Sequence, residues 1–393
     1  MAGYSYDLVI VGAGSGNMLP AGEFAGWRIA VVESGRFGGT CLNRGCIPSK
    51  MLVHTADVAQ AVRHAGRFGI AANWAGAGWP AIRGRVFGRI DPVHERAVGH
   101  RRSGRVGVFL GEARFVAPKV LTVGDDEIRA GRFVLAAGSR PAIPAIDGLA
   151  GLPYLTSDTV MGLGRLPRSM AGMGGGYIAA EMSHIFGSLG TKVTIVARGE
   201  HLLARHDADI RARFTQAYRE RFDLRLGATA KRAAKTRKGI RLDLATPAGA
   251  QAANAETRLV RYNLPHPGAP RRAAFTVVPS AVFAGPQVAS VGATEQDLQA
   301  QGRDYATATR PYRDTAYGWA LEDTTSFVKV LADPATRLPL GAHIIGPQAA
   351  TLIQPLIQAM CLGNTADQVA SGVLYIHPAL TEVVEQALLE LCS

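Results

Sequence analysis

The amino-acid sequence predicts an α/β protein in which two βαβ units with glycine-rich turns precede an α+β region with an antiparallel sheet. Apolar runs beginning near Tyr6 and Ser169 each lead into a glycine-rich turn, a helical segment and a further apolar run. The alternation in 281–283 and 326–330 is typical of strands in an antiparallel sheet. Each of the three patterns predicts one part of this architecture.

Length and composition limit the class of protein. The chain has 393 residues, 47% of them apolar, which can supply the cores of two or three domains. No segment has the ~18 apolar residues of a membrane helix, and the first strand begins too early for a signal peptide. The net charge is +12, but the densest basic run, 231–238, has no aromatic residue to stack on a base and is interpreted as a solvated hairpin or loop. We therefore expect a cytoplasmic protein with no membrane or nucleic-acid partner.

The first unit joins a strand over 6–11 to the turn Gly12-Ala13-Gly14-Ser15-Gly16-Asn17, a helical segment and a strand over 28–33. A strand, a glycine turn and an acid about 20 positions on form the Rossmann dinucleotide fingerprint. The glycines let backbone N–H groups approach a pyrophosphate, and Glu33 can accept hydrogen bonds from a ribose. Asn17 replaces the usual third glycine, and Pro20 and Gly22 follow, so we expect looser helix packing than in the consensus.

The second unit carries the turn Gly174-Gly175-Gly176-Tyr177-Ile178-Ala179-Ala180-Glu181, followed by a helix and a strand over 192–196. NAD-specific Rossmann units place a carboxylate at the end of that strand, where this chain has Arg198. An arginine there suits a 2′-phosphate, so NADPH is preferred to NADH. The alternative is that Arg198 is only a solvated cation at the end of a strand.

A cysteine pair lies in the run Gly38-Gly39-Thr40-Cys41-Leu42-Asn43-Arg44-Gly45-Cys46-Ile47-Pro48-Ser49-Lys50. Five residues of an ideal helix rise about 7.5 Å, more than the ~4.4–6.8 Å between the Cα atoms of a disulfide. The backbone between the cysteines must therefore be distorted if they bond, and the glycines permit that. A redox-active dithiol is favoured over a reduced buried pair or half of a metal site, because no further ligand cluster accompanies it. Cys361 and Cys392 stand alone, so one disulfide and no metal are expected.

The run 38–50 resembles the redox motif of the FAD-dependent pyridine nucleotide–disulfide oxidoreductases. The resemblance implies that the first turn binds the ADP part of FAD, with Gly39, Thr40 and Lys50 also near FAD, and that the second turn binds NADPH. The segment 133–141, with Ala137 and Gly138, resembles the family segment that returns the chain from the FAD domain to the NADPH domain. Arg205 resembles the second phosphate-binding arginine of NADPH-using members.

The same resemblance assigns catalytic roles. It makes Cys41 the thiol that exchanges with the substrate disulfide and Cys46 the thiol that faces the flavin. Lys50 and Glu181 match an ion pair beside the flavin, although a purely structural salt bridge is the alternative. Tyr177 matches an aromatic lid over the flavin, and ordinary packing is the alternative there.

A histidine–glutamate pair occurs near the C-terminus, in Tyr375-Ile376-His377-Pro378-Ala379-Leu380-Thr381-Glu382. It matches the family pair in which the histidine protonates the leaving thiolate and the glutamate holds the ring in the useful tautomer. In the family this pair reaches the dithiol of the partner subunit, so the resemblance implies a homodimer.

The resemblance also narrows the substrate to a small-molecule disulfide. The chain lacks a second C-terminal redox group, and segments such as 85–92, 156–161, 316–324 and 352–360 resemble the branch of the family that reduces mycothiol disulfide. The expected reaction is hydride transfer from NADPH to FAD followed by dithiol–disulfide exchange. Activity like that of the glutathione disulfide reductases or the dihydrolipoyl dehydrogenases remains an alternative.

The expected domains are an FAD-binding domain with the dithiol (1–150), an NADPH-binding domain (151–250), a truncated return segment of the FAD domain (251–278) and a dimerisation domain (279–393). Around 245–265 the chain departs from the family, since a strand end and a later segment that contacts the flavin's ribityl chain are both missing. The missing piece is at least one βαβ unit, roughly 30 residues. An internally truncated, flavin-free and inactive homologue is therefore a second hypothesis.

Overall fold

The structure, a computed structural model, describes residues 3–17, 24–104, 106–237, 239–245 and 277–392. Two groups of expectations lie outside these residues. One is the interrupted helix of the first unit, with Pro20 and Gly22. The other is most of the truncated return segment and the missing piece expected near 245–265.

A six-stranded sheet forms the N-terminal region, in the order β3-β2-β1-β6-β5-β4. Strands β1, β2, β3 and β6 run parallel, whereas β4 and β5 are added in antiparallel fashion. The strands are β1 Gly3–Val11, β2 Ile29–Glu33, β3 Gly107–Leu110, β4 Ala113–Ala117, β5 Val120–Val123 and β6 Asp126–Leu135. Alternate residues of β1 face two apolar clusters, with Leu8 and Ile10 in one and Val9 in the other. Both faces of the central strand are therefore buried, as in a doubly wound sheet.

Three helices accompany this sheet: α1 Gly39–Arg44, α2 Cys46–His64 and α3 Trp79–Ser103. The inner face of α2 carries Leu52 and Val53, which pack in one cluster with Ile185 and Phe186 of the second βαβ unit. Burying a side chain of this size contributes about 1.5–3 kcal/mol. This packing fixes the helix that carries Cys46 against the helix that follows the second glycine turn.

The second unit is a smaller parallel sheet in the order β7-β8-β9, followed by a two-stranded hairpin. Its elements are β7 Ser169–Met173, α4 Tyr177–Ser188, β8 Lys192–Val196, α5 Ala208–Arg219, β9 Asp223–Arg225, β10 Thr229–Thr236 and β11 Gly239–Ala245. The described part of the basic run, 231–237, lies in β10 and the turn that follows. It thus forms part of a hairpin, as interpreted from the sequence.

The C-terminal region is an antiparallel sheet in the order β12-β13-β16-β15-β14, covered by helices. Its strands are β12 Ser280–Val282, β13 Val288–Gly292, β14 Ala306–Pro311, β15 Phe327–Ala332 and β16 Pro339–Ile345. Its helices are α6 Glu295–Ala300, α7 Ala316–Leu321, α8 Ala349–Leu352, α9 Gln354–Leu362, α10 Ala366–Ser371 and α11 Thr381–Cys392. The predicted fold class, two Rossmann-like units followed by an α+β region with an antiparallel sheet, is confirmed. Across the described ranges, none of the helices is both long and apolar enough to cross a membrane.

A buried cation joins the second unit to the C-terminal sheet. Lys329 of β15 is 2% exposed, and its Nζ lies 3.1 Å from Oδ1 of Asp207, 2.6 Å from Oδ2 of Asp209 and 2.6 Å from Oε2 of Glu295. Asp207 precedes α5 and Glu295 begins α6, so one amine links three elements. The strand pattern of the sequence did not predict a buried lysine here.

Candidate functional site

The two cysteines lie on either side of a break between two helices. Cys41 is in α1, Cys46 begins α2, and Gly45 between them has φ −135° and ψ −117°. A Cβ added to Gly45 would lie 2.8 Å from the carbonyl oxygen of Thr40 and 3.3 Å from Cα of Cys41. The chain can fold back this closely only because residue 45 has no side chain. The distortion predicted from the spacing is therefore present, and it centres on Gly45.

The structure contains the cysteine pair as two thiols, so the expected Cys41–Cys46 disulfide is not formed in it. Both side chains are exposed, and the two thiols share a hydrogen bond. Partial desolvation, followed by this hydrogen bond, raises the pKa of the Cys41 thiol to about 11, against a smaller lowering effect of Lys50. A thiol with a raised pKa is almost entirely protonated at neutral pH. Cys41 therefore needs a proton acceptor before it can attack a disulfide.

An ion pair stands one helical turn beyond Cys46. The Nζ of Lys50 lies 2.6 Å from Oε1 of Glu181, whose side chain is almost completely buried. The same Oε1 accepts a hydrogen bond of 3.1 Å from the backbone N–H of Phe283, and the Lys50 amine lies 4.4 Å from the centre of the Phe283 ring. The structure thus brings together two predicted site residues, Lys50 and Glu181, that are far apart in sequence. Phe283 was not predicted, because its neighbours show only a strand pattern.

The first glycine turn is closely packed. Gly12 has φ +111°, and a Cβ there would lie 2.1 Å from the carbonyl oxygen of Ala136. The Glu33 carboxylate accepts hydrogen bonds from the N–H of Ala13 (2.8 Å) and from the N–H of Gly35 (2.7 Å). The predicted ribose acceptor therefore also orders the turn itself. The segment 136–137 is the close neighbour of the turn, because the same Cβ position lies 3.3 Å from the backbone nitrogen of Ala137.

The remaining residues predicted for the first nucleotide lie around this turn. Ser15, Gly16 and Asn17 form a 3₁₀ turn, and Gly39 and Thr40 begin α1. A Cβ on Gly39 would lie 2.6 Å from Cα of Gly14, so the turn and the start of α1 are in direct contact. This glycine-lined cradle, with an acid at the end of β2, fits the ADP part of a dinucleotide.

The second glycine turn is open. A Cβ placed on Gly174 or Gly176 would meet no atom within 4 Å, although Gly174 has φ +115°. Helix α4 begins at Tyr177, whose side chain is 58% exposed, and Ile178 beside it is also exposed. A phosphate can therefore approach the backbone N–H groups at the start of α4.

The loop after β8 lies beside the second turn. The N–H of Leu203 donates a 2.7 Å hydrogen bond to the carbonyl of Gly175, which ties the loop to the turn. Arg198 and Arg205 both have exposed side chains in this loop. The arrangement places two cations in the loop that follows the strand which, in Rossmann units, ends at the adenosine ribose. This geometry fits a nucleotide that carries a 2′-phosphate.

The C-terminal pair forms within one chain. The Nδ1 of His377 lies 2.6 Å from Oε1 of Glu382, with the histidine 74% exposed and the glutamate 14% exposed. Glu382 is in the first turn of α11, which fixes the carboxylate. Among the described residues, no hydrogen bond or ion pair joins His377 to either cysteine of the same chain. Leu374 and Ile376, which precede His377 in the sequence, are exposed as well.

Comparisons with known proteins identify the family. The family model for pyridine nucleotide-disulphide oxidoreductases matches residues 6–260, and the model for the dimerisation domain of that family matches residues 278–388. The chain therefore belongs to the pyridine nucleotide–disulfide oxidoreductases, which are FAD-dependent enzymes that use NAD(P)H. The expectations of an enzyme and of these cofactors are confirmed.

Particular relatives refine this assignment. The chain is 38% identical to mycothione reductase of Mycobacterium tuberculosis, with 98% of this chain and 99% of the relative covered. It is 30% identical to glutathione reductase of Burkholderia cepacia, with 97% and 98% covered. The flavoprotein disulfide reductase RclA of Escherichia coli has the same fold, with a TM-score of 0.84 at 23% identity and with 98% of this chain and 99% of RclA covered.

The alignment also shows that this chain is shorter than its relatives internally. It extends over 456 positions, against the 393 residues of the chain, so at least 63 residues of the mycobacterial enzyme have no counterpart here. Because both chains are covered almost end to end, these positions are internal. Their number agrees with a missing piece of at least one βαβ unit, roughly 30 residues. Its location near 245–265 stays a prediction.

Proposed function

We propose that the protein is an NADPH-dependent reductase of mycothione, the disulfide of mycothiol. The observation that carries the proposal is the Lys50–Glu181 ion pair one turn beyond the cysteine pair, which joins the dithiol helix to the second nucleotide unit. The similarity to the mycobacterial mycothione reductase supports the choice of substrate. Reduction of glutathione disulfide, or activity like that of dihydrolipoyl dehydrogenase, is the alternative.

Thiol–disulfide exchange is the step that the cysteines perform. The Cys41 thiolate attacks one sulfur of the substrate, forming a mixed disulfide and releasing one thiolate. The Cys46 thiolate then attacks the sulfur of Cys41, which releases the second thiol and leaves a Cys41–Cys46 disulfide. Two electrons from NADPH return this disulfide to the dithiol. FAD, when bound, supplies the relay between the nicotinamide and the cysteine pair.

His377 and Glu382 supply the proton transfer in this proposal. The exposed Nε2 of His377 takes the proton of Cys41 and returns it to the leaving thiolate, while Glu382 holds the Nδ1–H tautomer. The high pKa of Cys41 within one subunit is the reason that this acceptor is needed. Since His377 has no bond to the cysteines of its own chain, we propose a cytoplasmic homodimer in which it serves the cysteines of the partner.

The second unit would hold NADPH. Arg198 and Arg205 would pair with the 2′-phosphate, and Gly174, Gly176 and Ile178 would approach the pyrophosphate. Tyr177, exposed at the start of α4, would cover the flavin until the nicotinamide displaces it. The charge of the two arginines is what favours NADPH over NADH.

The first unit would hold FAD through backbone groups and one carboxylate. Gly12, Gly14, Ser15 and Gly16 would face the pyrophosphate and Glu33 the adenosine ribose, with Gly39, Thr40, Ala137 and Gly138 around them. Lys50 would place a positive charge beside the flavin, which favours the anionic reduced form. We propose the domains that the sequence predicts: an FAD-binding domain (1–150), an NADPH-binding domain (151–250), a truncated return segment (251–278) and a dimerisation domain (279–393).

A flavin-free homologue is the second candidate. The observation that favours it is the deficit of at least 63 internal residues relative to the mycobacterial enzyme. If these residues include the flavin-contacting segment, the first unit would bind the ADP part alone, and affinity for FAD would be weak.

Two measurements on the purified protein separate these candidates. Visible absorption with flavin bands, retained after gel filtration, supports the reductase, and turnover of mycothione well above that of glutathione disulfide supports the substrate. Equal turnover of the two disulfides would overturn the choice of mycothione. A protein that stays colourless after incubation with FAD would favour the flavin-free homologue.

A further inference from the structure

A buried histidine lies next to the Lys50–Glu181 pair and takes no part in the proposed exchange. His184 is 1% exposed and lies one turn beyond Glu181 on α4. Its Nε2 lies 2.8 Å from Oδ1 of Asp57 on α2, and its Nδ1 lies 3.1 Å from Nη2 of Arg221. The ring thus bridges a carboxylate of the dithiol helix and a guanidinium that follows α5.

The two partners determine the protonation of the ring. A guanidinium only donates hydrogen bonds, so Nδ1 of His184 must accept and carries no hydrogen. The remaining hydrogen is on Nε2, which donates it to the Asp57 carboxylate. Three charged groups face the ring: Asp57, Arg221 and Glu181. Burial, reinforced by the charge of Arg221, lowers the pKa of His184 despite the opposing effect of Asp57 and Glu181. The neutral Nε2–H form is therefore retained at and above pH 6.5.

Further bonds connect this histidine to the ion pair. Arg221 also donates to the carbonyl of Gly285 (2.5 Å) and to Oγ of Ser188 (3.1 Å), and Ser188 accepts a 2.9 Å bond from Gln60 of α2. Two residues before Gly285, the N–H of Phe283 donates to Glu181. The same network that holds His184 therefore holds the segment that fixes the Glu181 carboxylate.

Helices α2 and α4 are consequently joined by three polar pairs that follow one another along both helices. These are Lys50–Glu181, Asp57–His184 and Gln60–Ser188. Each pair has a buried member on α4. The middle pair lies between the other two, and its imidazole is held from two sides, by Asp57 and by Arg221, so it restrains the register of the two helices. A substitution in the Asp57–His184 pair should therefore loosen the Lys50–Glu181 and Gln60–Ser188 pairs on either side of it.

We propose that His184 is a positioning residue: its neutral Nε2–H imidazole locks α2 against α4 and so keeps Lys50 on Glu181 beside the cysteine pair. The benefit to catalysis rests on the proposed function, but the locking itself does not. A side chain that donates at one end and accepts at the other can replace it. A side chain that does neither cannot.

The tautomer can be measured directly. In protein labelled with ¹⁵N-histidine, two-bond ¹H–¹⁵N spectra distinguish the Nε2–H, Nδ1–H and imidazolium forms, and His184→Gln assigns the signals by their loss. We expect the Nε2–H form without change between pH 6.5 and 8. An imidazolium or an Nδ1–H form would overturn the proposal. His54, an exposed histidine on the same helix, serves as the control in the variant His54→Gln.

The locking can be measured by competitive acylation of lysines followed by mass spectrometry. In His184→Leu we expect Lys50 to react at least about threefold faster relative to exposed Lys119, because its bond to Glu181 is loosened. His184→Gln should restore the slow reaction, and His54→Gln should not alter it. Continued protection of buried Lys329 shows that the fold is intact.

A second variant covers the case in which His184→Leu does not fold. Asp57→Ala removes the bridge from its exposed end on α2 and should accelerate acylation of Lys50 in the same way. Unchanged reactivity of Lys50 in a folded His184→Leu or Asp57→Ala protein would refute the locking. Neither experiment uses turnover or bound flavin, so loss of the proposed reductase activity and failure of this inference are distinguishable.

Discussion

Replacement of Lys329 by methionine tests the link between the second nucleotide unit and the C-terminal sheet. Methionine fills a similar volume but leaves three carboxylates without their cation. Removing one partner of a buried ion pair costs about 3–5 kcal/mol. The side chain of Asp209 is 59% exposed, so its ion pair with Lys329 contributes about as much as a surface salt bridge, about 0–1 kcal/mol. Most of the stability lost in Lys329→Met therefore comes from the buried carboxylate of Asp207, which is left without its cation.

The loss of stability expected for Lys329→Met lies at the lower end of this range of about 3–5 kcal/mol. Asp207 keeps two hydrogen bonds in the variant, from the N–H of Asp209 (3.1 Å) and from the N–H of Glu295 (3.1 Å). We expect the free energy of unfolding to fall by about 3 kcal/mol. Lys192→Met, the same change at an exposed strand lysine, should cost less than about 0.5 kcal/mol.

Urea unfolding followed by tryptophan fluorescence measures this difference, and its pH dependence provides a second check. Burial alone would lower the pKa of Lys329, but its hydrogen bonds to the three carboxylates and their charge together raise this pKa above its ordinary value of 10.5. The contribution of Lys329 to the free energy of unfolding is thus complete below pH 10.5 and is lost as the pH rises further. The wild type should lose stability in that range, and Lys329→Met should lack this part of the loss. Equal stability of Lys329→Met and Lys192→Met at pH 7 would show that the buried ion pairs of Lys329 do not stabilise the fold.

Three further predictions concern the proposed chemistry. Arg198→Ala should raise KM for NADPH at least about tenfold more than KM for NADH, since a charge-assisted bond contributes about 1.5–3 kcal/mol; equal effects on both in steady-state kinetics would contradict it. Cys41→Ser should abolish disulfide reduction but keep NADPH oxidation by an artificial electron acceptor, and residual disulfide turnover would argue against its role. His377→Ala should lower kcat for the disulfide by about 10²–10⁴, as expected for loss of a general acid. Glu382→Gln, which keeps the histidine, should lose less, and an undiminished rate in His377→Ala would exclude the pair.

The local elements were largely predictable from the sequence because each depends on neighbouring residues. The strand, turn and acid of the first unit, the second turn before Tyr177 and the terminal helix after His377 all follow from short patterns. The break at Gly45 was predictable as well, because the spacing of the two cysteines does not fit a disulfide across a regular helix. The presence of two thiols in place of the expected disulfide was not predictable, since spacing does not determine oxidation state.

Contacts between distant segments were not predictable from those patterns. Lys329 lies in an apolar strand run, and only the tertiary structure places the three carboxylates around it. In the sequence His184 is likewise only one polar residue on a predicted helix, and its contacts with Asp57 and Arg221 are formed by the tertiary structure. The close contact between Gly12 and the carbonyl of Ala136 also joins segments that are far apart in the sequence. Each depends on how elements pack, which periodicity does not encode.

NADPH consumption with mycothione, measured on the purified protein together with its flavin absorption, tests the proposed reductase activity most directly. We expect a yellow protein that oxidises NADPH in the presence of mycothione, and a Cys41→Ser protein that is yellow but does not. A wild-type protein that remains colourless and consumes no NADPH with mycothione, even after incubation with FAD, would contradict the proposed activity.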